Sequence, residues 1–348
     1  MATPSSGPRD EPNAEPSAEP RVDRPMFGLT RLVAWAPVGG AALLLAVGLL
    51  APKWFLFLAT MALSHGLAVL GVVVLSRGGG ATFGQGLFFA VGAYVAALLP
   101  QWAGITDALM CTLLGTLAAG AVGAVFAPLL ARYRGIFFAM LTLALSMVLF
   151  GLLSKATALG GSDGLTVAKP TLLGATLAGD QAEMWLYFIT AFCTWVAGLL
   201  VARYWQSAAG LMAQAVRGNA LRVEYLGASA RVSLGTCFAI SGMLGGMGGA
   251  LTALALGHVE PDFANWTTSG EFVFVSVLAG YQSVAAVFVA SLVLEVVRSF
   301  SNLYFPNSWQ LALGLFLLVV ILFRPAGIGS LWMGKRRSSQ ANSSGNAR

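Results

Sequence analysis

The stretch "WFLFLATMALSHGLAVLGVVVL", residues 54–75, decides the fold, and His65 is its one ionisable side chain. A helix needs about 20 apolar residues to cross the hydrocarbon core of a bilayer. Comparable runs recur at residues 32–50, 81–99, 106–130, 136–158, 184–202, 232–256, 271–300 and 308–323. The pattern predicts an all-α fold, a polytopic transmembrane helical bundle of about 8–10 spans that includes broken or re-entrant helices.

The composition supports a membrane environment. The chain of 348 residues is 57% hydrophobic and 10% charged, with a mean hydropathy of +0.78. A soluble domain carries roughly a quarter charged residues, and this chain in water would expose large apolar patches. The net charge of +6 does not indicate nucleic acid, because the basic residues lie in short loops between apolar runs. We therefore expect membrane lipid, and no nucleic acid, as a partner.

The chain divides into three regions. Residues 1–30, rich in Pro, Ala and Glu, are predicted to form a disordered tail because they have little to bury. Residues 31–330 hold the spans, and residues 331–348 form a basic tail. Within the spans, the longest polar segment covers residues 204–231. Its apolar residues recur at a spacing that predicts a short helix pair, with Gly227 as the helix stop.

The loop charges predict an orientation, because Lys and Arg favour the cytoplasmic side of a membrane. With the N-terminus in the cytoplasm, the acids Asp107, Asp163, Asp180, Glu183, Glu260 and Asp262 fall outside. The basic residues that then fall inside are Arg31, Arg77, Arg132, Arg134, Arg203, Arg217, Arg222 and Arg231. This orientation makes both tails and the 204–231 segment cytoplasmic.

The stretch 271–300 conflicts with this orientation if it crosses once, because the C-terminal basic residues would then lie outside. The sequence is least apolar near Tyr281, Gln282 and Ser283. We therefore predict that 271–281 forms a half-helix or short crossing and that 284–300 returns. Irregular backbone at such depth is tolerated where protein or a water-filled cavity surrounds it.

Nothing in the sequence indicates an enzyme. There are two histidines, and three cysteines each stand alone in an apolar run, so neither a metal site nor a disulfide framework is expected. No phosphate-binding loop occurs, so we expect no cofactor and expect energy to come from a partner or an ion gradient. Within the spans, Glu295 and Arg298 have the spacing of a local ion pair. His65 fits either a core histidine or a group lining a passage.

Two glycine-containing segments interrupt the apolar pattern. In "RGGGATFGQGLFFAVGAY", residues 77–94, glycines and polar side chains suit either close helix packing or a broken helix beside a solute path. The candidates for the path are Thr82, Gly84, Gln85 and Gly86, together with His65. The glycines of residues 241–253 favour packing. The outer loop "LGGSDGL", residues 159–165, needs no role beyond a turn, although Ser162 and Asp163 are candidates for gating.

Several of these pieces, in their order along the chain, resemble one family. They are "FGQGLFFAVGAYVAALL" (83–99), "RGIFFAMLTLALSMVLF" (134–150), "GGSDGL" (160–165), "AVRGNALRVEYLGASARV" (215–232) and "LFRPAGI" (322–328). The chain resembles the LivM-like permease subunits of the branched-chain amino acid and urea class of ABC importers. The match runs from about residue 55 to residue 330, and the order of the pieces is more specific than any one of them.

The resemblance implies that residues 31–330 form a permease domain and that residues 204–231 contain a loop coupling it to an ATPase. Arg217, Asn219, Glu224 and Gly227 match the family's coupling motif, whereas Gly218 stands where relatives commonly carry an acid. The stretch 278–291 also departs from the family, since it lacks a proline and most of the glycines found there. The implied partners are a homologous second permease subunit, two ATP-binding cassette subunits and a periplasmic solute-binding protein, all at the bacterial inner membrane.

Two other functions are compatible with a polytopic bundle. A stand-alone, ion-coupled secondary transporter would need a coupling-ion site and repeated halves, neither of which is clear in the sequence. A membrane scaffold or sensor would leave the glycine-broken segments and the polar loop unexplained. The imported solute stays open among branched-chain amino acids, urea, amides and aromatic acids.

Overall fold

A computed structural model describes residues 27–172, 175–176, 181–281 and 283–304, with residues 311, 314–316, 318 and 322. Most of the predicted N-terminal tail, the whole predicted basic tail 331–348 and most of the predicted final span, 308–323, lie outside these residues. The few described residues of that span are helical.

The described chain is almost entirely helical, as predicted. Its α-helices are α1 (Phe27–Leu50), α2 (Lys53–Arg77), α3 (Gln85–Ala103), α4 (Ala108–Leu130), α5 (Ile136–Lys155), α6 (Gln181–Gln206), α7 (Ala208–Gly218), α8 (Ala220–Tyr225), α9 (Ala230–Leu256), α10 (Trp266–Ala279) and α11 (Val284–Tyr304). Four two-residue strands lie in loops: β1 (Leu165–Thr166), β2 (Thr171–Leu172), β3 (Ala175–Thr176) and β4 (His258–Val259).

Seven described helices are long and apolar enough to cross a membrane: α2, α3, α4, α5, α6, α9 and α11. α1 contributes a shorter apolar helix, Gly39–Leu50. α10 has 14 residues. At 1.5 Å per residue it is about 21 Å long and falls short of a hydrocarbon core of about 30 Å.

The predicted break between the last two of these helices is confirmed. α10 ends at Ala279 and α11 begins at Val284. Gly280 between them has a φ of 73°, a left-handed conformation that glycine adopts without strain. Gln282 lies outside the described residues. α10 begins at Trp266, earlier than the predicted start at 271.

The helices run between two ends of the bundle, which we name by their loops. The α7 side carries α7, α8 and the loops around residues 78–80, 131–135 and 280–281. The hairpin side carries the β2–β3 hairpin and the loops around 104–107, 156–172 and 257–260. α2 reaches the α7 side, where the Arg77 Nη2 donates to the Gln214 Oε1 at 3.3 Å.

The centre of the bundle is α9, which packs against α2, α3 and α4. Its glycines make these approaches close: a Cβ on Gly249 would overlap the Phe89 carbonyl, and one on Gly246 would overlap the Ala119 side chain. Small residues at helix interfaces let membrane helices approach closely. The packing interpretation of residues 241–253 is confirmed.

On the hairpin side, two loops are tied together by short strands. β1 pairs antiparallel with β4, joining the loop after α5 to the loop after α9. The loop after α5 is held a second time, because Thr171 N donates to Thr106 O at 2.9 Å. The described part of this loop is therefore held at two points on this end of the bundle.

The polar segment on the α7 side folds into the predicted helix pair, α7 and α8. The Ser207 hydroxyl caps α7, accepting from Gly210 N at 3.3 Å. Gly227 has a φ of 84° and follows the end of α8, as expected of a helix stop. Val216, Val223 and Ala230 form a small buried core of their own.

Candidate functional site

Two interruptions of the helical chain meet near the middle of the bundle, and we call this place the junction. One is the non-helical segment that precedes α3, and the other is the 3₁₀ turn Pro261–Ala264 that precedes α10. Gly86 N donates to the Ser269 hydroxyl at 2.9 Å, and the Ser146 hydroxyl donates to Ala264 O at 2.7 Å. Ser146 lies at the midpoint of α5.

The start of α3 is also corrected by the structure, because residues 81–84 were predicted as part of a span and are not helical. Side chains satisfy the backbone groups that a helix would otherwise pair. Phe83 N donates to the Thr142 hydroxyl at 3.3 Å, and Gly84 N donates to the Thr82 hydroxyl at 3.1 Å. Non-helical backbone at membrane depth needs partners of this kind.

Gln85, the first residue of α3, is fully buried and locked to α9. Its Nε2 donates to the Ser241 carbonyl at 3.1 Å, and its Oε1 accepts from the Ser241 hydroxyl at 2.9 Å. Gly84 packs against the Thr142 carbonyl, and Gly86 packs against the Ser269 hydroxyl. The structure thus brings Thr82, Gly84, Gln85 and Gly86 together in one closely packed contact. Their role in a path stays a prediction.

His65, the fifth path candidate, lies apart from the junction in a cluster of charged side chains, which we call the charged cluster. The His65 Nδ1 is 3.1 Å from the Glu295 Oε2. The Arg298 guanidinium pairs with Glu271 of α10 and lies 3.6 Å from the Glu295 carboxylate. The local Glu295–Arg298 pair is therefore present, but it belongs to a network across α2, α10 and α11.

Sequence reasoning missed Glu271 as a partner. The sequence of α10 contains this one acid, which was a signal, yet Glu271 and Arg298 are 27 positions apart. Their pairing depends on how the break at Gly280 turns α11 back against α10. A contact across a chain reversal is not encoded in local spacing.

The four predicted coupling residues lie together on the exposed helix pair. The Arg217 guanidinium stacks on the Tyr281 ring, 4.1 Å from its centroid, and the Arg217 backbone lies against Gly79. The Asn219 side chain caps α8 by accepting from Arg222 N at 3.1 Å. The Glu224 carboxylate is 3.5 Å from Arg134. The helix pair thus contacts three loops of the α7 side. Tyr281 was not foreseen as a partner.

The helix pair also exposes a group of large apolar side chains. Leu221 is 66% exposed, Tyr225 is 90% exposed and Leu226 is 86% exposed. Exposed apolar groups beside a polar rim are typical of a surface that contacts another protein. The small buried core of Val216, Val223 and Ala230 stabilises the helix pair that carries these side chains.

The two gating candidates lie in the fixed loop of the hairpin side. Ser162 and Asp163 are exposed, and the Ser162 hydroxyl donates to the Asp163 carboxylate at 3.3 Å. Their 3₁₀ turn, Gly161–Asp163, directly precedes β1. The structure shows a turn here, and gating stays a prediction.

These features define a class of protein. Seven spanning helices, two interrupted helical segments that meet at depth and an exposed helix pair at one end are the architecture of a multi-pass membrane permease. Residues 54–322 match the family described as "Branched-chain amino acid transport system / permease component". The chain belongs to this family, whose members are transport components rather than enzymes.

Curated relatives agree. The chain is 28% identical over 294 residues to the "High-affinity branched-chain amino acid transport system permease protein LivM" of Escherichia coli (strain K12), covering 78% of this chain and 69% of the relative. It is 27% identical over 295 residues to the protein of the same name from Salmonella typhimurium (strain LT2), with the same coverage. No solved structure matches the chain.

Proposed function

We propose that this chain is a translocation subunit of an ABC importer that brings branched-chain amino acids, or related small polar solutes, across a bacterial inner membrane. The observation that carries the proposal is the exposed helix pair α7–α8 at one end of a family-matched permease. The relatives' printed names supply the solute class. The family match gives no support to the stand-alone secondary transporter.

The orientation follows from the charges at the two ends of the bundle. The α7 side carries exposed arginines, among them Arg132, Arg134 and Arg217, and the hairpin side carries exposed acids, among them Asp163 and Glu260. By the positive-inside rule the α7 side faces the cytoplasm. α2 ends on that side, so α1 begins there, and the N-terminus is cytoplasmic.

Two partners bind the two ends in this arrangement. On the cytoplasmic face, the exposed Leu221, Tyr225 and Leu226 enter a groove of an ATP-binding cassette subunit. On the outer face, a periplasmic solute-binding protein docks on the loops that β1 and β4 hold together. A homologous second permease and a second ATPase subunit complete the importer.

The contacts of Arg217 suggest how ATP binding reaches the membrane. Its backbone lies against Gly79, at the start of the segment leading to α3, and its guanidinium lies on Tyr281, just past α10. Both of these segments run from α7 to the junction. A displacement of α7 by the ATPase therefore acts on both at once. The importer alternates between a state open to the outside and a state open to the cytoplasm. Solute and ATP shift the balance between these states because each binds the two states with different affinities.

The test is charge reversal at Arg217. In Arg217→Glu, we expect uptake of labelled leucine to be lost while the assembled complex still hydrolyses ATP, because the stacking on Tyr281 is replaced by an unfavourable contact. Arg132→Glu, at another exposed arginine on the same side, is the matched control and should transport normally. Normal uptake by Arg217→Glu, at equal membrane levels, would remove the coupling role.

A further inference from the structure

The charged cluster lies deep within the bundle. His65 is at the midpoint of α2, and Glu295 is near the midpoint of α11. Arg298 is one helical turn beyond Glu295, and Glu271 is on α10. Ionisable side chains at this depth are costly in hydrocarbon, so they face protein or water and commonly mark solute or ion pathways.

The side chains of the charged cluster are only partly buried. The four side chains keep between 13% and 20% of their surface exposed. These charged groups, which lie among α2, α10 and α11, are therefore only partly buried. By contrast, the Gln85 side chain at the junction is fully buried.

A small cavity adjoins the charged groups. Its volume is about 10 Å³, and it is lined by His65, Glu271, Glu295, Arg298 and Ser291 together with apolar side chains. This is about the space that one water molecule needs. The Ser291 side chain is 3% exposed, and its hydroxyl has no hydrogen-bond partner within the described part of the chain. A buried hydroxyl without a partner, beside a cavity that charged side chains border, indicates a place for water or a polar ligand.

We propose that the charged cluster is the point where the solute contacts this subunit during translocation, and that the solute is a small zwitterion. Arg298 offers the planar donor fork that suits a carboxylate, and Glu271 and Glu295 offer acceptors for an ammonium group. The presence of both signs in one small site favours a zwitterion over urea or an amide. This proposal rests on the proposed transport function and deepens it.

The described state is closed at this site, because Arg298 bridges α10 and α11 and leaves room for one water. A solute enters when Arg298 separates from Glu271, which requires α10 to move relative to α11. The chain breaks before Trp266 and after Ala279 flank α10, so this half-length helix is suited to move as a unit. Tyr281, just past its end, contacts Arg217, so the cluster is joined to the coupling segment.

The first experiment measures water access at Ser291. The native Cys111, Cys193 and Cys237 are replaced by alanine, and Ser291→Cys is compared with Val289→Cys, a site on the same helix that is 45% exposed. Membrane vesicles holding the assembled transporter are treated with a charged, membrane-impermeant methanethiosulfonate during turnover with ATP, because the reagent can enter only after α10 has moved away from α11. Because this reagent needs a hydrated thiolate, we expect Ser291→Cys to react about tenfold faster. Millimolar L-leucine should slow that reaction, and urea should not.

Equal rates at the two positions, no reaction at Ser291→Cys, or a reaction that leucine leaves unchanged would each overturn the proposal. A failure here, in a complex that still imports solute, leaves the transport function standing.

A second experiment guards against a folding defect in the cysteine variant. Arg298→Lys keeps the positive charge between Glu271 and Glu295 but removes the donor fork. We expect about a tenfold rise in the apparent KM for leucine uptake, at an unchanged level of the assembled complex. An unchanged KM would mean that Arg298 holds helices together and does not contact the solute.

Discussion

The junction and the charged cluster lie near the middle of the same bundle, and they satisfy their polar groups in opposite ways. At the junction, neutral side chains close every contact described above, and Gln85 is fully buried. At the cluster, charged side chains meet beside a cavity and remain partly exposed. The polar groups of the junction stabilise a break in the helical chain, whereas those of the cluster are proposed to bind the solute.

α10 joins the two regions. Its first turn supplies Ser269 to the junction, and Glu271, on the same helix, belongs to the cluster. Substitutions at the junction should therefore act mainly on stability, and substitutions at the cluster should act on transport kinetics. The first two predictions below test the junction half of that division, and Arg298→Lys, described above, tests the cluster half.

The largest effect is expected from Gly84→Val. A Cβ at this position would meet the Thr142 backbone carbonyl, which cannot move aside without shifting α5. Overpacking of this kind costs about 1–3 kcal/mol or more. We expect a sharp fall in the folded, membrane-extracted protein, measured by fluorescence-detected size exclusion. Gly151→Val is the control, because a Cβ there would meet no described heavy atom within 4 Å apart from its chain neighbours and the nearby backbone of its own helix.

Gln85→Leu should have the next largest effect. It removes both hydrogen bonds to Ser241 and leaves the buried Ser241 hydroxyl without its acceptor, at a cost of about 1–3 kcal/mol. The melting temperature of the purified chain should fall. Gln85→Leu combined with Ser241→Ala should recover part of the loss, because the unpaired hydroxyl is then absent.

The result also decides between the two interpretations of Gln85. A variant that keeps its melting temperature but transports poorly would support a role for Gln85 in the solute path. It would also contradict the proposed division between the two regions.

The smallest effect is expected from Tyr281→Ala, which removes the stacking of Arg217 at the end of α10. Exposed cation–π contacts are worth about 0.5–1 kcal/mol, so uptake per ATP hydrolysed should fall about two- to fivefold. Tyr281→Phe keeps the ring and should transport normally. If the alanine and phenylalanine variants behave alike, the link between coupling segment and α10 is refuted.

Much of the fold was predictable because membrane spans depend on the length of an apolar run. The run at 54–75 corresponds to α2, and the break near Gln282 corresponds to the gap between α10 and α11. The helix pair α7–α8 was also foreseen from apolar spacing. The start of α3 was not, because residues 81–84 are apolar enough for a helix but are held out of it by Thr142 and Thr82.

The site was less predictable than the fold. Sequence alone marked both Gln85 and His65 as candidates for the solute path, because both are polar residues in apolar runs. What separates them is their surroundings: Ser241 pairs with both ends of the Gln85 amide, while Glu295 holds His65 beside a cavity. Those neighbours come from distant parts of the chain, so only the tertiary structure distinguishes them.

The separate core of the α7–α8 pair has a consequence for how such transporters diversify. Val216, Val223 and Ala230 stabilise the pair from within, so Leu221, Tyr225 and Leu226 are free to vary without repacking the spans. On the proposed docking, changes at these three surface positions would alter the choice of ATPase subunit and leave the spans unchanged.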